Sequence, residues 1–289
     1  MRKIAFVINP NAGGDRKRNR LELIRKLIPV GLDYELFLWE KQEDKEELFR
    51  NVMNSSCDVV AAVGGDGTVN HVAAAVKGSG KTMAIIPFGS GNGLARHLGI
   101  PLQTDRALGL LSSGRTQVID SCYLNDKPFF CTAGIGFDAH IGKLFAESKT
   151  RGMTGYAWMT LKEFSSYKAS KYTLTIDGQQ IEQDAFLITF ANAAQYGGQA
   201  YIAPHADIQD GLIDLTIIRP FPLLAGAGLV YKLFSKGLKN SGYVQMLRGK
   251  HILIERNEPG PVQFDGETAE MGIKLELRAV PGSLKVIVP

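Results

Sequence analysis

The stretch Val59–Asn70, VVAAVGGDGTVN, restricts the chain more than any other. Five residues of β character run into Gly64-Gly65-Asp66-Gly67-Thr68, and a helical pattern follows with Val69, Val72, Ala73 and Val76 on one side. A strand, a glycine turn and a helix start in that order present backbone N–H groups and the positive end of a helix dipole, which together favour bound phosphate. Glycine lets an anion approach the backbone and permits positive φ. A carboxylate in such a loop, Asp66, suggests a metal ion or a proton to be managed. A plain structural turn is the competing reading; two adjacent glycines, an acid, a third glycine and a hydroxyl favour the phosphate site.

The flanking sequence gives this junction a parallel sheet. Strand patterns at Lys3–Ile8, Tyr34–Trp39, Val59–Val63 and Met83–Pro87 alternate with helical ones. The helices are expected around Leu21, Ile24, Leu27 and Ile28, over Lys45–Met53 and over Thr104–Leu111. Strand–helix alternation implies parallel strands covered on both faces, with ligands at their carboxyl ends. Three glycine-bearing loops follow strand ends, at Asn9–Gly14, Gly64–Thr68 and Phe88–Gly93, and are expected to converge. Near Ile119 strand signals become dense, at Phe129–Thr132, Tyr172–Ile176, Phe186–Ala191, Leu212–Ile218, His251–Ile254, Val262–Phe264, Ile273–Leu277 and Ser283–Val288. Asp177-Gly178 is a hairpin signal. Helices are expected at Ala139–Glu147, Tyr156–Tyr167 and Leu223–Lys239. The fold expected is therefore an α/β N-terminal domain with a parallel sheet and glycine-rich phosphate loops, joined to a second, mostly antiparallel β-rich domain.

Composition excludes several classes. With 33 Lys and Arg against 29 Asp and Glu, the net charge of +4 does not suggest a nucleic-acid protein but suits anionic substrates or an anionic membrane surface. Three cysteines lack metal spacing and are too few for a disulfide framework, so reduced, cytosolic thiols are expected. MRKIAFVINP is a strand rather than a signal peptide, and no apolar run reaches the ~18 residues that span a bilayer.

Further motifs follow in order: PFGSGNGLA at Pro87–Ala95, AGIGFDA at Ala133–Ala139, DGLID at Asp210–Asp214 and FDGE at Phe264–Glu267. With the opening Asn9-Pro10 and GGDGTVN at Gly64–Asn70, the chain resembles the bacterial diacylglycerol kinase/sphingosine kinase-like lipid kinases, relatives of ATP-NAD kinases, over nearly its whole length. The resemblance implies two domains, 1–118 with 280–289, and 119–279, with ATP between them and magnesium as the metal. It implies transfer of the γ-phosphoryl group to a lipid hydroxyl by a cytoplasmic enzyme that reaches the inner membrane face, with room for a homodimer.

Asn9, Gly64, Gly65, Asp66, Gly67, Thr68 and Asn70 are the expected first nucleotide contacts, with Gly89, Ser90, Gly91 and Asn92 as a second cradle. Asp265-Gly266-Glu267 places two carboxylates about a glycine. Asp265 is the expected base, with Asp66 its rival, while Glu267 binds magnesium and contributes to the nucleotide site. Asp120 is a further magnesium candidate. The resemblance also implies a structural magnesium at Asp207, Asp210 and the Leu212 carbonyl; a tight Asp-Gly turn is the alternative. Arg16, Lys17, Arg18 and Arg20 would attract ATP or form a solvated face.

Two departures leave the acceptor lipid open. Asn92-Gly93 replaces the Asn-Asp of many bacterial members and is more like the sphingosine and ceramide kinase branch, and Leu38 or Trp39 replaces a hydroxyl near the second strand's end. An ATP-NAD kinase would show an Asn-Asn-Glu signature, which is missing. A dinucleotide oxidoreductase would need a different glycine spacing. A silent nucleotide-binding regulator would not need Asp66, Asp265 and Glu267.

Overall fold

The computed structural model describes residues 2–10, 20–41, 43–148 and 152–289. It divides into two compact units, Met1–Ile119 with Gly282–Pro289, and Asp120–Pro281. Asn11–Gly14 of the first glycine loop, and Arg16, Lys17 and Arg18, lie outside the described residues, as does the Arg20 side chain.

The first unit is built on β1 (Lys3–Ile8), β2 (Asp33–Leu38), β3 (Val59–Gly64) and β4 (Thr82–Pro87), in the order β2-β1-β3-β4 and all parallel. The last stretch of the chain adds a fifth parallel strand, with Lys285 opposite Thr82 and Val286 opposite Met83. Every residue of β3 is buried, as an unbroken apolar run in a sheet covered on both faces should be. The covering helices are α1 (Arg20–Leu27), α2 (Lys45–Asn54), α3 (Asp66–Val76) and α5 (Thr104–Ser113), while α4 (Gly93–His97) is a single short turn. Each long helix buries one stripe: Ile24 from α1, Val52 from α2, Val72, Ala73 and Val76 from α3, Leu108 and Leu111 from α5.

The second unit is a sandwich of antiparallel sheets. One sheet has the order β12 (Val244–Gly249), β11 (Ile213–Ile218), β10 (Leu187–Ala191), β7 (Thr132–Gly136), β14 (Gly260–Phe264), β15 (Glu267–Met271). The other joins the early part of β16 (Lys274–Val288) to β13 (His251–Arg256), β8 (Ser170–Ile176) and β9 (Gln179–Ala185). A hairpin is formed by β5 (Arg115–Leu124) with β6 (Lys127–Phe129). Phe129, Leu174, Phe190, Leu215, Ile252 and Leu277 share the core of the sandwich. A second apolar cluster, with Phe137, Ile141, Phe186, Leu229 and Leu238, lies under α6 (Phe137–Glu147), α7 (Gly152–Phe164) and α8 (Gly226–Phe234).

Three expectations change. The helix expected over Leu223–Lys239 is broken into a 3-10 turn at Leu223–Ala225, α8, and a second 3-10 turn at Leu238–Asn240. Apolar periodicity does not reveal this, because the break is conformational: Lys236 sits at φ 60 and stops α8 from continuing. Phe129–Thr132 is a corner between β6 and β7 rather than one strand. The separate patterns at Ile273–Leu277 and Ser283–Val288 belong to one long strand, β16, which passes through Pro281 and Gly282 (φ 60) as it leaves the second unit.

Candidate active site

Parallel pairing fixes the loops of the first unit. Ile8 lies opposite Val63, and Gly64 opposite Pro87, so β1, β3 and β4 end at one edge. The loops beyond them are knitted together. Asn9 N donates to the Val63 carbonyl (3.1 Å) and Asn9 Nδ2 to Thr68 Oγ1 (3.1 Å), while Phe88 N donates to the Gly64 carbonyl (2.7 Å). Gly65 is the residue before α3, whose first turn points its N–H groups out of the strand edge.

The glycines serve close approach rather than unusual dihedrals. None of Gly64, Gly65, Gly67, Gly89 and Gly91 has positive φ, contrary to expectation, and Gly65 is extended at φ −92. A Cβ on Gly65 would stand 3.2 Å from Gly89 Cα, and one on Gly89 would stand 2.8 Å from Gly65 Cα. One on Gly64 would collide with the Thr68 side chain. Two bare backbones therefore touch, with Gly65–Gly67 and Phe88–Gly91 still partly open to solvent.

Asp66 is the clasp between them. Its Oδ1 accepts Gly93 N (2.7 Å) and its Oδ2 accepts Asn92 N (2.9 Å), capping α4 from 26 residues away. Asn92, left-handed at φ 52, closes the turn from the other side: Oδ1 accepts Gly89 N (2.9 Å) and Nδ2 donates to the Gly89 carbonyl (2.7 Å). Burial raises the Asp66 pKa against these N–H donors and the Arg96 charge. The second cradle is thus narrower than expected. The N–H groups of Gly89, Asn92 and Gly93 are spent within the protein, leaving Ser90 and Gly91 as its outward part. Asn70 is buried in α3, inside the fold rather than at the loop surface. Trp39, 5% exposed, packs its ring against His71 of α3 (5.0 Å between centroids) where the resemblance places a hydroxyl; Leu38 is exposed.

The second unit carries the other carboxylates. Asp265-Gly266 is the two-residue turn between β14 and β15, with φ 46 and 86, the signature of a type I′ hairpin. Asp265, 8% exposed, accepts three backbone N–H groups: Phe130 at Oδ2 (2.8 Å), Cys131 (2.9 Å) and Thr132 (3.0 Å) at Oδ1. It thereby fixes the corner between β6 and β7. Glu267, opposite Phe264 at the start of β15, is partly exposed.

Asp120 is 2% exposed, and its Oδ2 accepts Gly211 N (2.7 Å). Asn192, which the sequence reading missed, donates Nδ2 to the carbonyls of Asp120 (3.1 Å) and Phe130 (2.9 Å) and keeps a buried, unpartnered Oδ1. It links the strand of Asp120 to the corner that Asp265 holds. Nothing in ANAAQ distinguishes it from a surface asparagine. Asp138 was also missed, although the apolar setting of its motif, GIGFDA, was a signal. Desolvation pushes its carboxyl up to about 7, against hydrogen bonds from Ala139 N (2.8 Å), Gln263 Nε2 (3.4 Å) and Tyr196 Oη (3.2 Å).

The two expected ions meet different donor sets. In the Asp207–Leu212 loop, Asp207 Oδ1 accepts Gln209 N (3.0 Å), Asp210 Oδ1 accepts Leu212 N (2.9 Å), and Asp210 Oδ2 lies 3.8 Å from Arg248 Nη1. Among the described residues no group of three or more His, Cys, Asp or Glu side chains comes together as metal ligands. The loop is a self-capped turn facing an arginine. A nucleotide-borne magnesium is different: phosphates and water supply most of its ligands, and one or two carboxylates complete it. Glu267 suits that requirement.

Comparison with known proteins agrees with this architecture. Residues 3–124 match the diacylglycerol kinase catalytic domain, and residues 131–288 match the YegS C-terminal NAD kinase beta sandwich-like domain. A diacylglycerol kinase of Mycobacterium tuberculosis is 29% identical over 99% of this chain and 95% of its own. A Pseudomonas aeruginosa protein named "Probable lipid kinase YegS-like" is 31% identical over 87% of this chain and 83% of its own. In fold, a diacylglycerol kinase from Bacillus anthracis matches with a TM-score of 0.75 at 21% identity, covering 100% of this chain and 97% of that one. An NAD kinase from Archaeoglobus fulgidus in complex with ATP matches with a TM-score of 0.52 at 14% identity, covering 98% and 92%. With both halves matched in order and a relative above 30% identity along most of its length, the chain belongs to the diacylglycerol kinase/YegS-like lipid kinase family.

Proposed function

We propose that this protein transfers the γ-phosphoryl group of ATP to the hydroxyl of a membrane lipid of the diacylglycerol or sphingoid/ceramide type. Membership in a kinase family makes it a phosphotransferase and implies ATP use. The observation that carries the reading is the bare-backbone contact of Gly65 with Gly89 at the start of α3, clasped by Asp66.

Phosphoryl transfer asks a protein for positioning, charge neutralisation and a proton acceptor rather than covalent chemistry. The N–H groups at the start of α3 suit phosphate oxygens, with Ser90 and Gly91 as the accessory donors. Magnesium, when bound with the nucleotide, would neutralise phosphate charge, and Glu267 would hold it. Asp265 takes the acceptor's proton at Oδ2, the oxygen that carries one of its three N–H bonds. Asp66 holds the loops in place.

The test is a radiolabelled ATP assay on diacylglycerol, monoacylglycerol, sphingosine and ceramide in mixed micelles, with NAD in the same panel. Labelled lipid is expected; label in NAD alone would replace the reading with that of an NAD kinase. Among variants, Asp265→Asn should lose turnover and keep ATP affinity, whereas Asp66→Asn should lose ATP affinity as the clasp opens. The reverse pattern would exchange their roles.

A further inference from the structure

Two helices of the second unit are apolar on the side that faces away from the fold. A helix that packs by one face normally turns a charged face to water. In α7 the inward residues Tyr156, Met159 and Phe164 pack on the apolar cluster, yet the outward Trp158 and Leu161 are 63% and 76% exposed. In α8, Leu229 is buried, while the outward Val230, Tyr231 and Phe234 are 55%, 74% and 54% exposed. Leu224, in the 3-10 turn leading into α8, is 95% exposed. The two helices meet where Phe164 closes over Gly226, at which a Cβ would stand 2.8 Å from the phenyl ring.

The charges beside these residues are mostly of one sign; the acid of α7, Glu163, lies against His140 (3.4 Å). No Asp or Glu occurs from Lys149 to Lys162 or from Phe221 to Lys250. Three of the lysines there contact neutral groups: Lys162 Nζ lies 5.7 Å from the Trp158 ring, Lys236 Nζ 4.4 Å from the Tyr201 ring, and Lys232 Nζ donates to the Asn240 carbonyl (2.9 Å). Arg248, by contrast, is paired with Asp214 (2.9 Å) and does not contribute. Among the described residues no helix is long and apolar enough to cross a membrane, so the surface is suited to lying on a bilayer rather than entering one.

We infer that the outward faces of α7 and α8 dock on an anionic lipid bilayer, with their aromatic and aliphatic side chains in the headgroup–acyl boundary and Lys162, Lys232 and Lys236 against the anionic headgroups. The inference rests on the lipid-kinase reading for its purpose, but its test does not depend on turnover. Apolar burial and attraction to anionic lipid add together in such contacts, and α7 and α8 each carry residues for both.

The two tryptophans make the test direct, since Trp39 is 5% and Trp158 63% exposed. Vesicles of phosphatidylcholine with phosphatidylglycerol should shift tryptophan emission to the blue and carry the protein down on centrifugation. Phosphatidylcholine alone should do so weakly, and salt should weaken the anionic case. Leu161→Ser/Tyr231→Ser/Phe234→Ser should reduce partition at least about tenfold. Lys162→Gln/Lys232→Gln/Lys236→Gln should reduce it roughly fivefold per lysine and remove the salt dependence. Trp158→Phe should lose the emission shift and still sediment.

Wild-type protein that ignores anionic vesicles, or variants that partition equally with it, would overturn the proposal. A change in sedimentation coefficient without a change in vesicle binding would instead assign the face to a second copy of the chain. Activity on a short-chain diacylglycerol below its micelle concentration should be unchanged in both triple variants and fall on vesicle-borne substrate. No activity on any lipid, with vesicle binding intact, would reject the kinase reading and leave the docking surface standing.

Discussion

Asp265→Asn tests the second unit most sharply, because the carboxylate is an anchor as well as the proposed base. Its three N–H partners lie 133 to 135 residues away in sequence, so their contacts hold the hairpin turn against the β6–β7 corner. The least damaging amide orientation keeps oxygen toward Cys131 and Thr132 and turns NH2 toward Phe130 N. One buried donor then faces another donor, which costs about 1–3 kcal/mol, and two charge-assisted bonds become neutral ones at about 1 kcal/mol each. Relief from burying a charge offsets part of this, leaving about 2–4 kcal/mol. The backbone adds little, since Asn accepts the φ 46 conformation nearly as readily as Asp. For a unit of this size, about 2–4 °C per kcal/mol, the melting temperature should fall roughly 5–15 °C. Differential scanning calorimetry in the absence of nucleotide reads this directly. A melting temperature within a degree of wild type would refute the anchoring argument. Turnover should be measured well below the new transition, where loss of a general base alone accounts for ~10²–10⁴-fold.

Gly65→Val should abolish ATP binding, because its side chain would force Gly89 away and separate the two loops; retained affinity by isothermal calorimetry would reduce Gly64–Thr68 to a structural turn. The Asp138 carboxyl, pushed up to about 7 by desolvation, binds its proton more tightly folded than unfolded. The unfolded state therefore holds fewer protons between its ordinary value near 3.8 and about 7, and stability should fall as pH rises through that window. The phenols facing it, Tyr196 and Tyr156, are pushed upward from their ordinary value and stay protonated there. Urea midpoints should thus be higher at pH 5.5 than at pH 8, and Asp138→Asn should flatten the difference; an identical slope in the variant would assign it to another group. Asp210→Ala should cost about 0.5–2 kcal/mol through loss of the bond to Leu212 N, with EDTA leaving the wild-type melting temperature unchanged. A shift with EDTA would place a metal in that loop.

Local pattern was enough for the elements that build the first unit. Val59–Val63 is apolar without interruption because its strand is covered on both faces, and GGDGT ends it because only glycine allows the backbone approach found at Gly65 and Gly89. The Asp-Gly turns at Asp177 and Asp265 were equally local, since left-handed conformations suit those two residue types. The polar strand β15, ETAEM, carried no alternation and was hidden, as was the break in α8 at Lys236. Family membership followed from the order of motifs.

The partners of the carboxylates had no local signature. Asp66 reaches backbone N–H groups 26 residues on, Asp265 reaches those of a corner in another hairpin, and Asp120 reaches Gly211. A backbone donor is the same group in every residue but proline, so nothing in a sequence marks the one that a distant acid will find. Which residues of α7 and α8 face outward was undecided for a related reason. Sequence shows that Trp158, Leu161, Tyr231 and Phe234 are apolar, but which side of a helix meets the core is decided by what packs against it, here Phe164, Gly226 and the aromatic cluster below.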